Sequence, residues 1–255
     1  MTVSSVRKDV DNGVTMLTLQ RPPVNALNPD FLLEIESQLS NIEADENVRA
    51  LIITSNLSVF SAGMDLKEAM DFSTADQTLI VDLLNSTFAR LYGMSKPVIV
   101  AANGAAIAGG MFFVLAADYS IAVERAKFGL AEVRVGLHFP VVALEIARNA
   151  LSASAFRRVM LSGRNLDAKV AEKMGIVDEV VSGDELIRRS LEVAGDYASI
   201  PPMAYAKVKA QMRAASLDRL NNIIDKKSDP ARAGWFSDET RGAMESALKV
   251  VRRKE

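Results

Sequence analysis

The chain has 255 residues, enough for one large domain whose core needs no covalent staples. With 49% hydrophobic and 24% charged residues it falls in the ordinary globular class, which excludes disorder and collagen-like repeats. There is no cysteine and one histidine, His138, so disulfides, thiolate nucleophiles, iron–sulfur clusters and His-rich metal cages are excluded. Proton transfer has to rest mainly on carboxylate, lysine or tyrosine groups. A net charge of −2 offers no bulk attraction to nucleic acid. From Met203 onward, 12 Lys and Arg stand against 7 Asp and Glu, so this quarter carries +5 and the rest −7. Such a segment suits a solvated helical surface or a phosphate-bearing ligand.

Residues 1–10 include Arg7, Lys8 and Asp9 and no apolar run, so no signal peptide is expected and a cytoplasmic location is. Asp11-Asn12-Gly13 is a hairpin signal, with a strand at Val14–Leu19 after it. Asn28 can cap a helix that has Pro29 at its first position and Phe31, Leu32, Ile35, Leu39 and Ile42 on one face. Residues 49–54 read as a buried strand, and Asp65 as the cap of a further helix. Residues 76–94 carry a helical period in Leu79, Ile80, Leu83, Leu84, Phe88 and Leu91.

Residues 97–117 hold no charge over a length that could cross a bilayer. Asn103-Gly104 and Gly109-Gly110 divide them into a strand, a short middle piece and a helix from Met111, three elements for a core and none for lipid. A strand is expected at Tyr119–Val123 and a loop over 127–136. Helices follow at 140–149, 152–162 and 167–173, then a strand near 176–181. Beyond Gly183 the pattern is almost all helical, with a new start at Pro201-Pro202. Alternating strands and helices give an α/β body over 1–200 and a helical extension over 201–255. The extension spreads its apolar residues thinly, Trp235 and Phe236 among them, so it is expected to pack on the body or on neighbouring subunits.

No G-x-S-x-G elbow, phosphate-binding G-x-x-x-x-G-K-[ST] loop or dinucleotide-binding G-x-G-x-x-G turn is present. Two glycine-bearing loops remain: Phe60-Ser61-Ala62-Gly63-Met64-Asp65-Leu66 and Asn103-Gly104-Ala105-Ala106-Ile107-Ala108-Gly109-Gly110. Small residues let backbone approach a ligand, and the helix after each loop begins with unpaired amides. Two such N–H groups on one carbonyl oxygen would stabilise an oxyanion. Taken alone, the same glycines equally suit tight turns.

With Arg21-Pro22-Pro23-Val24-Asn25-Ala26-Leu27-Asn28 ahead of them, and with 104–118 and Phe128-Gly129-Leu130-Ala131-Glu132 behind, these loops resemble the crotonase (enoyl-CoA hydratase/isomerase) superfamily over essentially the whole chain. The resemblance implies a spiral of ββα turns, C-terminal helices that complete a trimer or a hexamer of two trimers, and acyl-CoA thioesters as ligands, with coenzyme A as part of the substrate and no metal or redox cofactor. It places the oxyanion-holding amides at Met64 and Gly109. It places Val24, Ala26, Ala62, Asp65, Leu66 and Ala106 along the path of CoA and acyl chain, and gives the basic C-terminal quarter a role near the nucleotide phosphates. No membrane or nucleic-acid partner is expected.

Hydratases of this family use two glutamates, one three residues beyond the oxyanion glycine and one after the Phe-Gly motif. The corresponding positions here are Phe112 and Glu132. Phenylalanine cannot hold or activate water, whereas one carboxylate can carry a proton from C2 to C4 of a 3-enoyl thioester. The resemblance is therefore closest to the Δ3,Δ2-enoyl-CoA isomerase branch, with Glu132 as the base and an apolar wall of Phe112 and Phe113 raising its pKa. A hydratase or another thioester-enolate reaction is the alternative; a non-catalytic scaffold or RNA-binding relative is a third reading. Asp65 reads as a helix cap before an acid, and His138 matches no family role and is expected to be packed or hydrogen-bonded. Asp118 is expected to fix a strand start, Glu124 to be exposed, and Lys67 to be within reach of a CoA phosphate.

Overall fold

A computed structural model describes residues 4–234 and 237–252. Strands β1 (Val6–Asp11) and β2 (Val14–Leu19) form a hairpin, with Asn12 and Gly13 at φ 48° and 79° in its turn. Helix α1 (Pro29–Ala44) starts where the Asn28 side chain accepts from the Phe31 N–H, and its five predicted apolar residues are buried. Strand β3 (Ala50–Ser55) and the one-turn α2 (Leu66–Ala69) follow. Helix α3 (Thr74–Gly93) opens with a reciprocal capping box between Ser73 and Asp76. Then come β4 (Val98–Ala102), β5 (Ala106–Ile107), α4 (Gly109–Ala116), β6 (Tyr119–Val123) and β7 (Lys127–Gly129). A 3-10 turn (Glu132–Val135) leads to α5 (Val141–Ala150), α6 (Ala153–Ser162), β8 (Leu166–Asp167), α7 (Ala168–Lys173) and β9 (Glu179–Val181). Helix α8 (Leu186–Ser199), helix α9 (Pro202–Asp225), a second 3-10 turn (Pro230–Ala233) and helix α10 (Asp238–Arg252) complete the order.

Six strands form one sheet in the order β1-β2-β3-β4-β6-β9, parallel except for the hairpin pair. Every residue of β3 and β4 is buried, the pattern of central strands in a parallel sheet covered on both faces. Strands β5, β7 and β8 form a second, small sheet. It holds the segments before α4 and before Glu132 side by side, through the pairs Ala106–Phe128 and Ile107–Gly129.

The elements differ from expectation where tertiary partners decide. Residues 127–136, expected as a loop, contain β7 and the 3-10 turn, because β5 and β8 supply partners that no local pattern announces. The strand near 176–181 is confined to Glu179–Val181; Ile176 and Val177 are buried in the turn before it. Leu79, placed on the apolar face of α3, is 45% exposed. The expectation for Trp235 and Phe236 lies outside the described residues.

The extension docks through charge as well as apolar contact. Asp118, at the start of β6, accepts from the Val98 N–H, from Lys209 and from Arg213. The Lys209 and Arg213 side chains, both on α9, are 7% and 13% exposed, and the Arg213 guanidinium stacks 4.1 Å from the Tyr92 ring centroid. Asp118 thus fixes a strand start, as expected, and also anchors α9. Burial pulls Lys209 down to about 8 against the opposing pull of Asp118. Removing the anion leaves two cations unpaired in a poorly hydrated place, which costs about 3–5 kcal/mol. Asp118→Ala is expected to lower the urea midpoint by a corresponding amount, a loss of several-fold more than that of the exposed Glu124→Ala.

Candidate active site

The local scaffold starts at Asn25, fully buried at φ 49°. Its side-chain oxygen accepts from the Arg21 N–H, and its amide nitrogen donates to the Ser55 hydroxyl and the Phe60 carbonyl. The Ser61 hydroxyl donates back to the Asn25 carbonyl. The Arg21 guanidinium binds the Ala26 carbonyl, Asp65 and Glu68, and Asn28 also reaches Glu68. The Pro-rich loop is thereby tied to the loop carrying Gly63.

That loop is in turn zipped to the segment before α4. The N–H groups of Phe60 and Ser61 donate to the Ala105 carbonyl, and Ile107 donates to Ser61. The approach is so close that a methyl group on Gly63 would lie 2.7 Å from the Ile107 oxygen and 2.9 Å from the Gly109 nitrogen. A methyl on Gly109 would lie 3.8 Å from the Met64 nitrogen. The Met64 and Gly109 amides are therefore neighbours. Neither donates to a protein acceptor among the described residues, and both residues line one cavity. Ala108 adopts φ 50° and ψ −126°, a conformation costly for a residue with a side chain, while its N–H donates to the Gly129 carbonyl at 2.7 Å. The strain is retained at the point where the chain turns to present Gly109.

The cavity has a volume of about 230 Å³ and walls that are almost wholly apolar. Glu132 and His138 are the only ionisable side chains among its described lining residues. Glu132 opens the 3-10 turn and is 9% exposed. Its Oε2 is buried with no hydrogen-bond partner among the described residues. Burial pushes its carboxyl up to about 8, opposed only by a hydrogen bond from its own backbone. Phe112 is 2% exposed and lies 5.8 Å from Phe88 and 6.1 Å from Phe139 between ring centroids, one side of the wall that keeps water from the carboxyl.

Among the expected ligand-path residues, Ala62 and Leu66 line this cavity along with Met64 and Gly109. Val24, Ala26, Asp65 and Ala106 are not among its described walls. The Val24 carbonyl accepts from Ala62, Ala26 from Arg21, and Ala106 is buried in β5. The Asp65 carboxylate caps α2 through the Lys67 and Glu68 amides and pairs with Arg21. Glu124 is exposed, as expected.

Two expectations are corrected. Phe113, placed in the apolar wall, is fully buried against Phe60 and Phe88, because the helical turn points it into the core while Phe112 faces the cavity. His138, expected to be packed or hydrogen-bonded, is exposed, lines the cavity and makes no hydrogen bond among the described residues. The walls also include Ala231 and Ala247 from the C-terminal extension. An alanine in a polar segment carries no chemical signal, so only the chain's path reveals them.

This layout, with a parallel sheet, a second small sheet presenting adjacent loop amides and a helical extension reaching over the cavity, is the crotonase-like α/β fold. The human mitochondrial delta3-delta2-enoyl-CoA isomerase structure superimposes at a TM-score of 0.94 with 29% identity, covering 99% of this chain and 100% of that one. The family model for enoyl-CoA hydratase/isomerase matches residues 9–245. The chain belongs to that family. Rat mitochondrial enoyl-CoA delta isomerase 1 is 32% identical over 252 residues, spanning 98% of this chain and 86% of the relative. The short-chain-enoyl-CoA hydratase of Clostridium acetobutylicum is 31% identical over 251 residues, spanning 98% and 96%.

Two outcomes follow from the geometry. Gly63→Ala, at φ 81° and without room for a methyl, is expected to force the two loops apart, separating the Met64 and Gly109 amides, and to lower the melting temperature relative to wild type, as read by calorimetry. Glu132 binds its proton more tightly in the folded chain, at about 8, than at its ordinary value of 4.5. Its contribution to stability is therefore fully present below that ordinary value and is lost as pH rises toward 8. The melting temperature of Glu132→Gln relative to wild type is expected to increase by several degrees between pH 5 and pH 8 and to level off above, as read by calorimetry.

Proposed function

We propose that the protein is a Δ3,Δ2-enoyl-CoA isomerase using one carboxylate. The observation that carries this reading is that Glu132 is the only carboxylate among the described residues lining the cavity, with Phe112 where a water-holding acid would be needed for hydration. In the reaction, the ionised Glu132 removes a proton from C2 of a 3-enoyl thioester. The electrons of that C–H bond pass into the thioester, giving a dienolate whose oxygen accepts hydrogen bonds from the Met64 and Gly109 amides. The protonated Glu132 then returns the proton to C4, the double bond moves to C2–C3, and the carboxylate is restored. Atoms and charge balance without a metal, redox cofactor or water.

The environment suits a proton carrier of this kind. A carboxyl near 8 is a far better base than an ordinary carboxylate, and its buried Oε2 has no competing donor among the described residues. Ala62 and Leu66 are assigned to the acyl path, and Val24, Ala26, Asp65 and Ala106 to its backbone support and to CoA. The assembly in this reading is a homotrimer or a dimer of trimers. Met203, Val208 and Met212, 72%, 54% and 80% exposed on α9, support an unfilled subunit contact there. The cytoplasm is kept as the compartment of this proposal, although the rat and human relatives are named mitochondrial.

A hydratase is the second reading, because hydratases stand among the relatives at nearly the same identity as isomerases. Incorporation of labelled water into crotonyl-CoA, at a rate matching isomerisation of 3-hexenoyl-CoA, would favour it. Under the isomerase reading, Glu132→Gln lowers isomerisation by about 10³-fold or more while CoA affinity changes little, in a coupled assay with 3-enoyl thioesters. Unchanged turnover would remove Glu132 from the mechanism. For wild type, kcat/KM rises with pH and reaches its plateau above about 8, as Glu132 loses its proton in the free enzyme.

A further inference from the structure

His138 has a position that the isomerisation does not explain. The apolar cavity adjoins a second hollow of about 490 Å³, and His138 lines both. The two differ in character. Among the described residues, outside Glu132 and His138 the first is walled by apolar side chains and backbone, whereas the second is lined by the polar Thr74, Gln77, Ser237 and Thr240 together with Gly136, Ala233 and Gly234. The histidine is exposed, so it fills no core, and it has no hydrogen-bond or charged partner among the described residues.

An acyl chain lying in the first cavity and extending past His138 leaves apolar walls and enters a polar space. A methyl terminus there would strip water from the imidazole and from nearby polar groups and return no hydrogen bond. A terminus carrying oxygen would accept or exchange a hydrogen bond with the imidazole and keep the rest of its hydration in the open hollow, while its methylene stem still gains apolar contact. This favours one chemical class of substrate over the plain alkyl chain. Resting on the acyl-CoA reading above, we infer that the acyl group taken by this site ends in an oxygen function, a carboxylate or a hydroxyl, held by His138 where the two hollows meet.

The test uses saturated thioesters, which bind without turnover, so its outcome does not depend on Glu132 or on isomerisation. Affinities of hexanoyl-, 6-hydroxyhexanoyl- and adipoyl-CoA, and of the corresponding eight-carbon series, are measured by calorimetry on wild type, His138→Leu and His138→Gln. In wild type the oxygen-ended member of at least one matched pair is expected to bind about tenfold tighter than the alkyl-ended member, the ratio one good hydrogen bond supplies. The ratio falls to near one in His138→Leu and is largely kept in His138→Gln, which still offers a donor. The larger of the hydroxyl and carboxylate effects identifies the terminus. Equal or tighter binding of the alkyl chains at both lengths, or a ratio that survives in His138→Leu, overturns the inference. Terminal preference without any isomerisation would overturn the isomerase reading alone and leave this one standing.

Discussion

The structure around the cavity depends on one constraint: a carboxyl group is held away from water with an oxygen that no donor among the described residues satisfies. Burial of that kind opposes folding whenever the group is ionised, and the surrounding chain has to offset it. The offset comes from elements that pack closely for reasons of their own. Phe88 and Phe112 form one side of the wall with Phe139 packed against Phe112, the 3-10 turn fixes the backbone of Glu132, and the extension supplies Ala231 and Ala247. A carboxyl that costs stability when charged is also one that takes up a proton readily at neutral pH, so the same feature links folding to proposed chemistry.

The second requirement is that two peptide amides remain unpaired and adjacent. Here the two loops are joined by backbone bonds among Phe60, Ser61, Ala105 and Ile107, and the first is fixed from behind by Asn25. The amides on either side of Met64 and the Ala108 amide before Gly109 are engaged in hydrogen bonds, while the Met64 and Gly109 N–H groups have no acceptor among the described residues. The left-handed Ala108 shows that this arrangement is held against a local preference, and the small sheet of β5, β7 and β8 provides the restoring contacts.

The distant α9 anchor serves the same cavity indirectly. Asp118, Lys209 and Arg213 hold the start of the extension to the body, and from there the chain continues through the second 3-10 turn to α10, whose residues close over the site. Asp229, which accepts from Asn85 and the Val141 N–H, and Arg232, which pairs with Asp82, then tie the second 3-10 turn to α3 and α5, next to the wall that Ala231 and Ala247 line. No pattern within residues 226–252 would place them there.

Local chemistry made much of this legible in the sequence. Apolar spacing and caps located α1 and α3, glycine pairs divided residues 97–117 correctly, and the motifs around Gly63, Gly109 and Glu132 carried the family resemblance, because each depends on residue types within a few positions. The tertiary structure alone decided that β7 exists, that Phe112 faces the cavity while Phe113 faces the core, that the capping Asp65 also pairs with Arg21, and that His138 opens onto two hollows. Those outcomes depend on partners far along the chain, Arg21 standing 44 residues before Asp65, and a side chain's surroundings at that range are not encoded in its immediate neighbours.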